Sequence, residues 1–264
     1  MAESCQSISY FIIPLDKCEM PPSRTPGPLG FNDQCDPNMC AKKGDTPGSL
    51  GINDHAEPSI CCFTTYTEDE VLLAATAYGE ASLDNVYEEM AAIANVIVRQ
   101  SKARSVSIKT LLGPANTYAF AASNGGNERF KALKKASSDK LESDKGMKDA
   151  LKAARNALSG GTDYSNGAYF WDGVDLKTNY KNHPKVKKGI KFADPKHNIF
   201  GVKEKDITEV VTHWQHQDKN GKVVNGKERG KYKYTYISTT AYGKTVFWRY
   251  GDEFLQATGN RPYQ

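Results

Sequence analysis

Glu80 and Glu89, nine positions apart, are the side chains of this sequence best spaced to do chemistry together. Between them runs Ser82-Leu83-Asp84-Asn85, a composition that favours a tight turn, so a helix-turn-helix junction could bring both carboxyls to one cleft. One carboxyl, its pKa raised by apolar surroundings, would protonate a leaving oxygen. The other would stay ionised to position water or stabilise an oxocarbenium-like centre, the division of labour that cleaves a glycosidic bond. Tyr78 and the neighbouring alanines would supply the drier wall.

The elements that must hold these two acids lie between Thr67 and Arg104. Thr67 and Glu70 have capping-box spacing and start a helix whose buried face carries Val71, Ala74, Ala75 and Tyr78. Gly79 weakens that helix just before Glu80, and a second helix begins near Val86. Val86, Met90, Ile93 and Ile97 fall within about forty degrees of one another on a helical wheel, the stripe of a core helix. Glu88 projects almost opposite that stripe and can close a capping box with Asn85. Glu89 lies at its edge, roughly sixty degrees away, and is expected to face the cleft.

Further candidates come from SNGAYFWDGVDL, where aromatic faces suited to stacking on sugar rings cluster beside a carboxylate. Tyr169, Trp171 and Asp172 are expected to bind substrate, with Tyr78 and with His197 of DPKHNIFGV. If this segment is a strand, Tyr169 and Trp171 share one face and Phe170 takes the other; an aromatic core strand with Asp172 in a turn explains it equally well. Tyr118 and Phe120 precede the flexible Asn124-Gly125-Gly126-Asn127 and are placed to border the cleft. His213 and His216 lack a third ligand, so no metal is expected there, and the chemistry calls for no cofactor.

Composition narrows the class. The chain has 264 residues, enough for one sizeable core with an extension, and a net charge of +4. Its lysine-rich stretches are interleaved with acids and match no nucleic-acid module, which argues against a DNA or RNA partner. No apolar run approaches the roughly twenty residues that span a bilayer, so membrane insertion is not expected. MAESCQSISYFIIPLDK lacks the positive start and apolar core of a signal peptide. Nothing demands more than a monomer.

Residues 1–66 form a Pro- and Gly-rich extension holding all six cysteines, Cys5, Cys18, Cys35, Cys40, Cys61 and Cys62. Thr25 to Cys40 recurs as Thr46 to Cys61. So little apolar content points to disulfide staples rather than a zinc knuckle, in an element that docks a partner or straps the surface. In residues 67–264, Ser107 to Leu112 reads as a short helical turn. Lys131 to Leu158 is helical, broken near Ser137-Ser138 or Gly146, with Met147, Leu151, Ala154 and Leu158 as its apolar stripe. KYKYTYIS and KTVFWRY have strand character, with a turn at Ala241-Tyr242-Gly243. The expected class is α+β, predominantly α, with a small C-terminal antiparallel sheet of about three strands.

AATAYGEASLDNVYEEMAAIANVIVRQ resembles the bacterial cell wall hydrolases of the spore-cortex-lytic type, in which a helix ends in a Tyr-Gly-Glu-Ala-like motif. The Glu80 to Glu89 spacing is also similar to the Glu and Asp spacing of phage-type lysozymes. GAYFWDGVDL and KHNIFGV resemble later segments of the family, so the likeness covers about residues 67 to 202. It is nearest to the lysozyme domains of TseP-like type VI secretion effectors. The resemblance implies a lysozyme-like helical core that cuts peptidoglycan in the periplasm or wall of a target bacterium, secreted without a signal peptide. It further implies a secretion-machine component and an immunity protein as partners. Tyr78-Gly79-Glu80-Ala81 carries over directly; the second acid aligns only with a shift, leaving Glu89 and Glu88 in competition, and Asn95 stands where the phage-type pattern has a threonine. A lytic transglycosylase working with one Glu, or a non-catalytic wall-binding module, are the alternatives.

Overall fold

Small side chains set how closely the helices of this chain meet. The computed structural model describes residues 65–113, 118–123 and 126–264. The chain divides into two units, Met1–Thr67 and Glu68–Gln264, and the second is described below. The repeat, the six cysteines with their expected disulfides, and the role of the extension lie outside the described residues.

Helix α1 (Glu68–Glu80) and helix α2 (Tyr87–Arg104) form the expected pair. Met90, Ile93 and Ile97 are fully buried, but so are Ala91, Ala92, Ala94 and Val96, so α2 is a central helix covered nearly all round rather than on one stripe. On α1 the buried run is Leu73 to Ala77, while the expected Val71 and Tyr78 are only half-buried. Removing a Leu side chain from water contributes about 1.5–3 kcal/mol, and a helix of this length is marginal without such burial.

The turn differs from the sequence reading. Asn85 takes a left-handed φ of 52° and its Oδ1 accepts from Arg129, so Val86, not Asn85, stands at the N-cap of α2, without a side-chain cap bond. Glu88 is exposed. The lysine-rich stretch breaks at both expected places, into α4 (Glu128–Lys135), α5 (Ser138–Ser143) and α6 (Lys145–Leu158), after the short α3 (Ile108–Leu111). Asn127, Ser137 and Asp144 cause the breaks, each accepting a backbone N–H of the helix it starts. α6 packs on α1 and α2, burying Met147, Leu151, Ala154 and Ala157, with Leu158 half-buried.

The sheet is mixed and not wholly C-terminal. Strands β1 (Phe170–Asp172), β2 (Ile190–Lys191), β5 (Tyr236–Tyr242) and β6 (Thr245–Tyr250) run in the order β1-β6-β5-β2, and β2 pairs parallel to β5. β3 (Val210–Gln217) and β4 (Val223–Tyr232) form a separate antiparallel ribbon, turned at Asp218 to Lys222. KYKYTYIS is therefore split between β4 and β5, and the β5–β6 turn falls at Gly243-Lys244. α7 (Asp175–Thr178), α8 (Pro184–Lys187) and α9 (Asp252–Thr258) complete the unit, an α+β fold.

Both faces of β6 are covered. Val246, Trp248 and Tyr250 join a cluster with Leu176, Val186, Ile190 and Phe254, while Thr245 is on the other face and reaches α2. β1 follows the same alternation: Phe170 packs on Tyr236 and Tyr250, whereas Tyr169 and Trp171 turn to the helices. Among the described residues no helix is long and apolar enough to cross a membrane.

Candidate active site

Glu80 is the last residue of α1, and Gly79 before it explains what can approach. A Cβ on Gly79 would lie 2.7 Å from Ala121 Cβ and 2.9 Å from Asn127 Oδ1, so only glycine lets the segment ending at Asn127 cross the helix end this closely. Asn127 Nδ2 donates to the Gly79 carbonyl while its Oδ1 caps α4, fixing that segment. Ala121 N–H then donates to Glu80 Oε1 at 2.6 Å.

From the sheet side, Trp171 Nε1 donates to Glu80 Oε2 at 3.3 Å, and the Tyr118 ring meets the Trp171 ring edge-on at 5.7 Å. Burial among these groups raises the Glu80 pKa; the bonds from Ala121 and Trp171 pull it down, the charge of Asp175 pushes it up, and the net shift is upward. A carboxyl with this environment can carry a proton to a pH at which an exposed glutamate has lost it.

Glu89 has the opposite setting. It is 0% exposed, Ser82 Oγ donates to its Oε2 at 2.6 Å, and Lys244 N–H and Thr245 Oγ1 donate to its Oε1 at 3.0 and 2.8 Å. A Cβ on Gly243 would overlap its carboxylate, and Gly243 takes a positive φ of 55°. The expectation that Glu89 faces the cleft is thus corrected. β6 pairs with β5 through a two-residue turn that docks onto the start of α2, and the Glu89 carboxylate fills that joint instead of an opening.

The remaining expected residues separate into different places. Asp172 stays near Glu80 in sequence but turns to the other face of β1, where its Oδ1 accepts from Lys185 Nζ at 2.7 Å and lies 3.4 Å from His183 Nε2. His183 Nε2 is also 3.3 Å from Asp175 Oδ2. Tyr78 lies under the Arg129 guanidinium, 3.9 Å from its ring centre, and Arg129 also donates to Ser82 O and Asn85 Oδ1, pinning the α1–α2 turn. Tyr169 lines a different recess with Asn95, Arg99, Lys102 and Asp163. His197 lines another with Asp194, Thr239 and Arg249, its Nδ1 2.8 Å from Ser238 Oγ, and burial lowers its pKa. Asn95 accepts from Tyr164 N–H, a structural bond.

Burial opposes charge on the His183 imidazole, yet bonds to Asp172 and Asp175 outweigh it and raise its pKa to about 9. Asp175 is lowered by its bond to His183. Asp172, Asp175 and His183 have donor atoms within 4.8 Å of one another, a set that could in principle hold a divalent cation. Here the Lys185 ammonium and the His183 imidazolium already face the two carboxylates, so the set does not fit a metal. Sequence reasoning missed Asp175, His183 and Lys185; none has a motif spacing to Glu80, and the pairing of β1 with β6 is what places their segment. Comparison with family models, with curated proteins and with solved structures gave no match.

Proposed function

We propose that this chain cleaves the glycan strands of peptidoglycan as a lysozyme-like glycoside hydrolase, with Glu80 as the acid that protonates the leaving oxygen. The observation that carries this reading is the setting of Glu80: a half-buried carboxyl at a helix end, held by Ala121 N–H and the Trp171 indole and raised in pKa by burial. A neutral carboxylic acid held on both oxygens beside an aromatic wall is prepared for proton donation to a sugar oxygen. The Tyr78-Gly79-Glu80-Ala81 likeness supplies the substrate class, and with it delivery to a target cell's wall by a secretion machine and neutralisation by an immunity protein.

A second reading is favoured by Glu89. With that carboxylate closed off, Glu80 could act alone as in a lytic transglycosylase, the sugar's own hydroxyl attacking to leave an anhydro end. Turbidity loss of purified peptidoglycan, followed by mass spectrometry of soluble fragments, tests both. Reducing ends from wild type and none from Glu80→Gln support hydrolysis; anhydro ends support the transglycosylase. Normal lysis by folded Glu80→Gln would end both, and wall binding without lysis would leave a binding module.

A further inference from the structure

Asp175 follows Trp171 by four residues, in the segment that hands Glu80 its indole donor. β1 divides the two sets of groups, Trp171 and Glu80 on the helical face, Asp172, His183 and Lys185 on the other, and Asp175 stands just past the strand's end. Its side chain is 61% exposed, whereas His183 and Asp172 behind it are only 3% and 9% exposed. His183 Nε2 sits 3.3 Å from Asp175 Oδ2 and 3.4 Å from Asp172 Oδ1, and Lys185 Nζ lies 2.7 Å from Asp172 Oδ1. A buried imidazole with one sealed carboxylate behind it thus aims an accessible carboxylate at solvent.

We infer that Asp175 is the second carboxylate of the site, the base that takes a proton from the attacking water while Glu80 gives its proton to the leaving oxygen. The inference rests on the glycosidase reading of Glu80. The pKa directions agree with it: the His183 bond keeps Asp175 ionised, burial keeps Glu80 protonated, and the Asp175 charge raises Glu80 further. Glu89 is fully buried and shares none of this accessibility. Among the described residues Glu80 and Asp175 share no hydrogen bond, which suits a water between them. In the step, the water oxygen bonds to C1 as one of its O–H bonds breaks and the proton goes to Asp175. The C1–oxygen bond breaks in concert, and the departing oxygen takes the Glu80 proton. His183 is a positioning residue. The groups that set the pH response are His183 and Lys185 from the α8 end, Asp172 from β1, Glu80 from α1, and Tyr118 beside Trp171.

The test compares wild type, Asp175→Ala, Asp175→Asn and Glu80→Gln of the full chain on soluble glycan oligomers, with and without sodium azide, across pH. The inference expects Asp175→Ala and Asp175→Asn to lose 10²–10⁴-fold in kcat with KM within a few-fold, and to lose the acid limb of the pH profile. Azide should restore turnover in Asp175→Ala by bonding to C1 as Glu80 protonates the leaving oxygen, giving a glycosyl azide of inverted anomer. Asp175 variants within threefold of wild type, with Glu80→Gln inactive, would overturn the role of Asp175 and spare that of Glu80. Loss without azide rescue and with the acid limb intact would reduce Asp175 to a support for His183, also overturning it. Activity in Glu80→Gln, or none in wild type, would remove both readings.

Discussion

Two glutamates at one helix-turn-helix junction have been given opposite physics. Glu80 holds two donors, keeps part of its surface in reach of water and is pushed toward its neutral form by burial. Glu89, nine residues on, is sealed and accepts three hydrogen bonds from three different segments. Lys244 Nζ also reaches Asp84 of the turn at 3.4 Å, so the β5–β6 turn is clamped to the junction twice. The difference teaches that acidic character and spacing place a carboxyl near a cleft, while the donors around it decide whether it acts or anchors.

Replacement should separate the two glutamates cleanly. Glu80→Gln keeps an acceptor for Ala121 N–H but has no acidic proton to give, so lytic activity should fall 10²–10⁴-fold with the melting temperature within a few degrees of wild type. Glu89→Ala should do the reverse. It leaves the Lys244 N–H and the Ser82 and Thr245 hydroxyls without their acceptor and opens a cavity, which costs about 3–5 kcal/mol. Denaturant unfolding measures that loss. Glu89→Gln, which keeps the shape, should retain activity at 25 °C; a folded Glu89→Gln as inactive as Glu80→Gln would break the comparison and return Glu89 to the chemistry.

Gly243→Ala attacks the anchor from the other side. The alanine methyl would overlap the Glu89 carboxylate and must also adopt a φ of 55°, so the joint has to open. The expected destabilisation is about 2–3 kcal/mol, smaller than for Glu89→Ala because the bonds can re-form after a shift. A double variant tells whether they share one joint. If Gly243→Ala and Glu89→Ala add fully, Gly243 acts elsewhere.

Much of the junction could be read from sequence because its causes are local. Helical period placed α1 and α2, and Gly79 before Glu80 marked a helix end where backbone comes close. Asn85 was misplaced as a cap because its left-handed turn is set by Arg129, which lies 44 residues away. Glu89 was misread for the same reason: its three donors include two from a hairpin turn more than 150 residues later. Asp175, His183 and Lys185 gave no signal, since their relation to Glu80 depends on which face of β1 each side chain takes. The parallel pairing of β2 with β5 was equally hidden, in a strand only two residues long.

The smallest effect concerns the charge cluster behind the site. The His183 pKa is raised from 6.5 to about 9 by Asp172 and Asp175. For a basic group raised in this way, the stabilisation is fully present below pH 6.5 and is lost as pH climbs through about 9. With Asp175 61% exposed and its charge screened by water, the loss should be about 1–2 kcal/mol, less than the whole shift would give. Urea unfolding of wild type and His183→Gln at pH 6 and pH 9.5 isolates the term, since other groups titrate alike in both. The gap between the two proteins should narrow by that amount at pH 9.5, while the stability difference between wild type and Glu89→Gln stays nearly constant. A constant gap for His183→Gln would mean that the imidazole is neutral at both pH values, and that Asp175 is held by the geometry of α7 rather than by a charged partner.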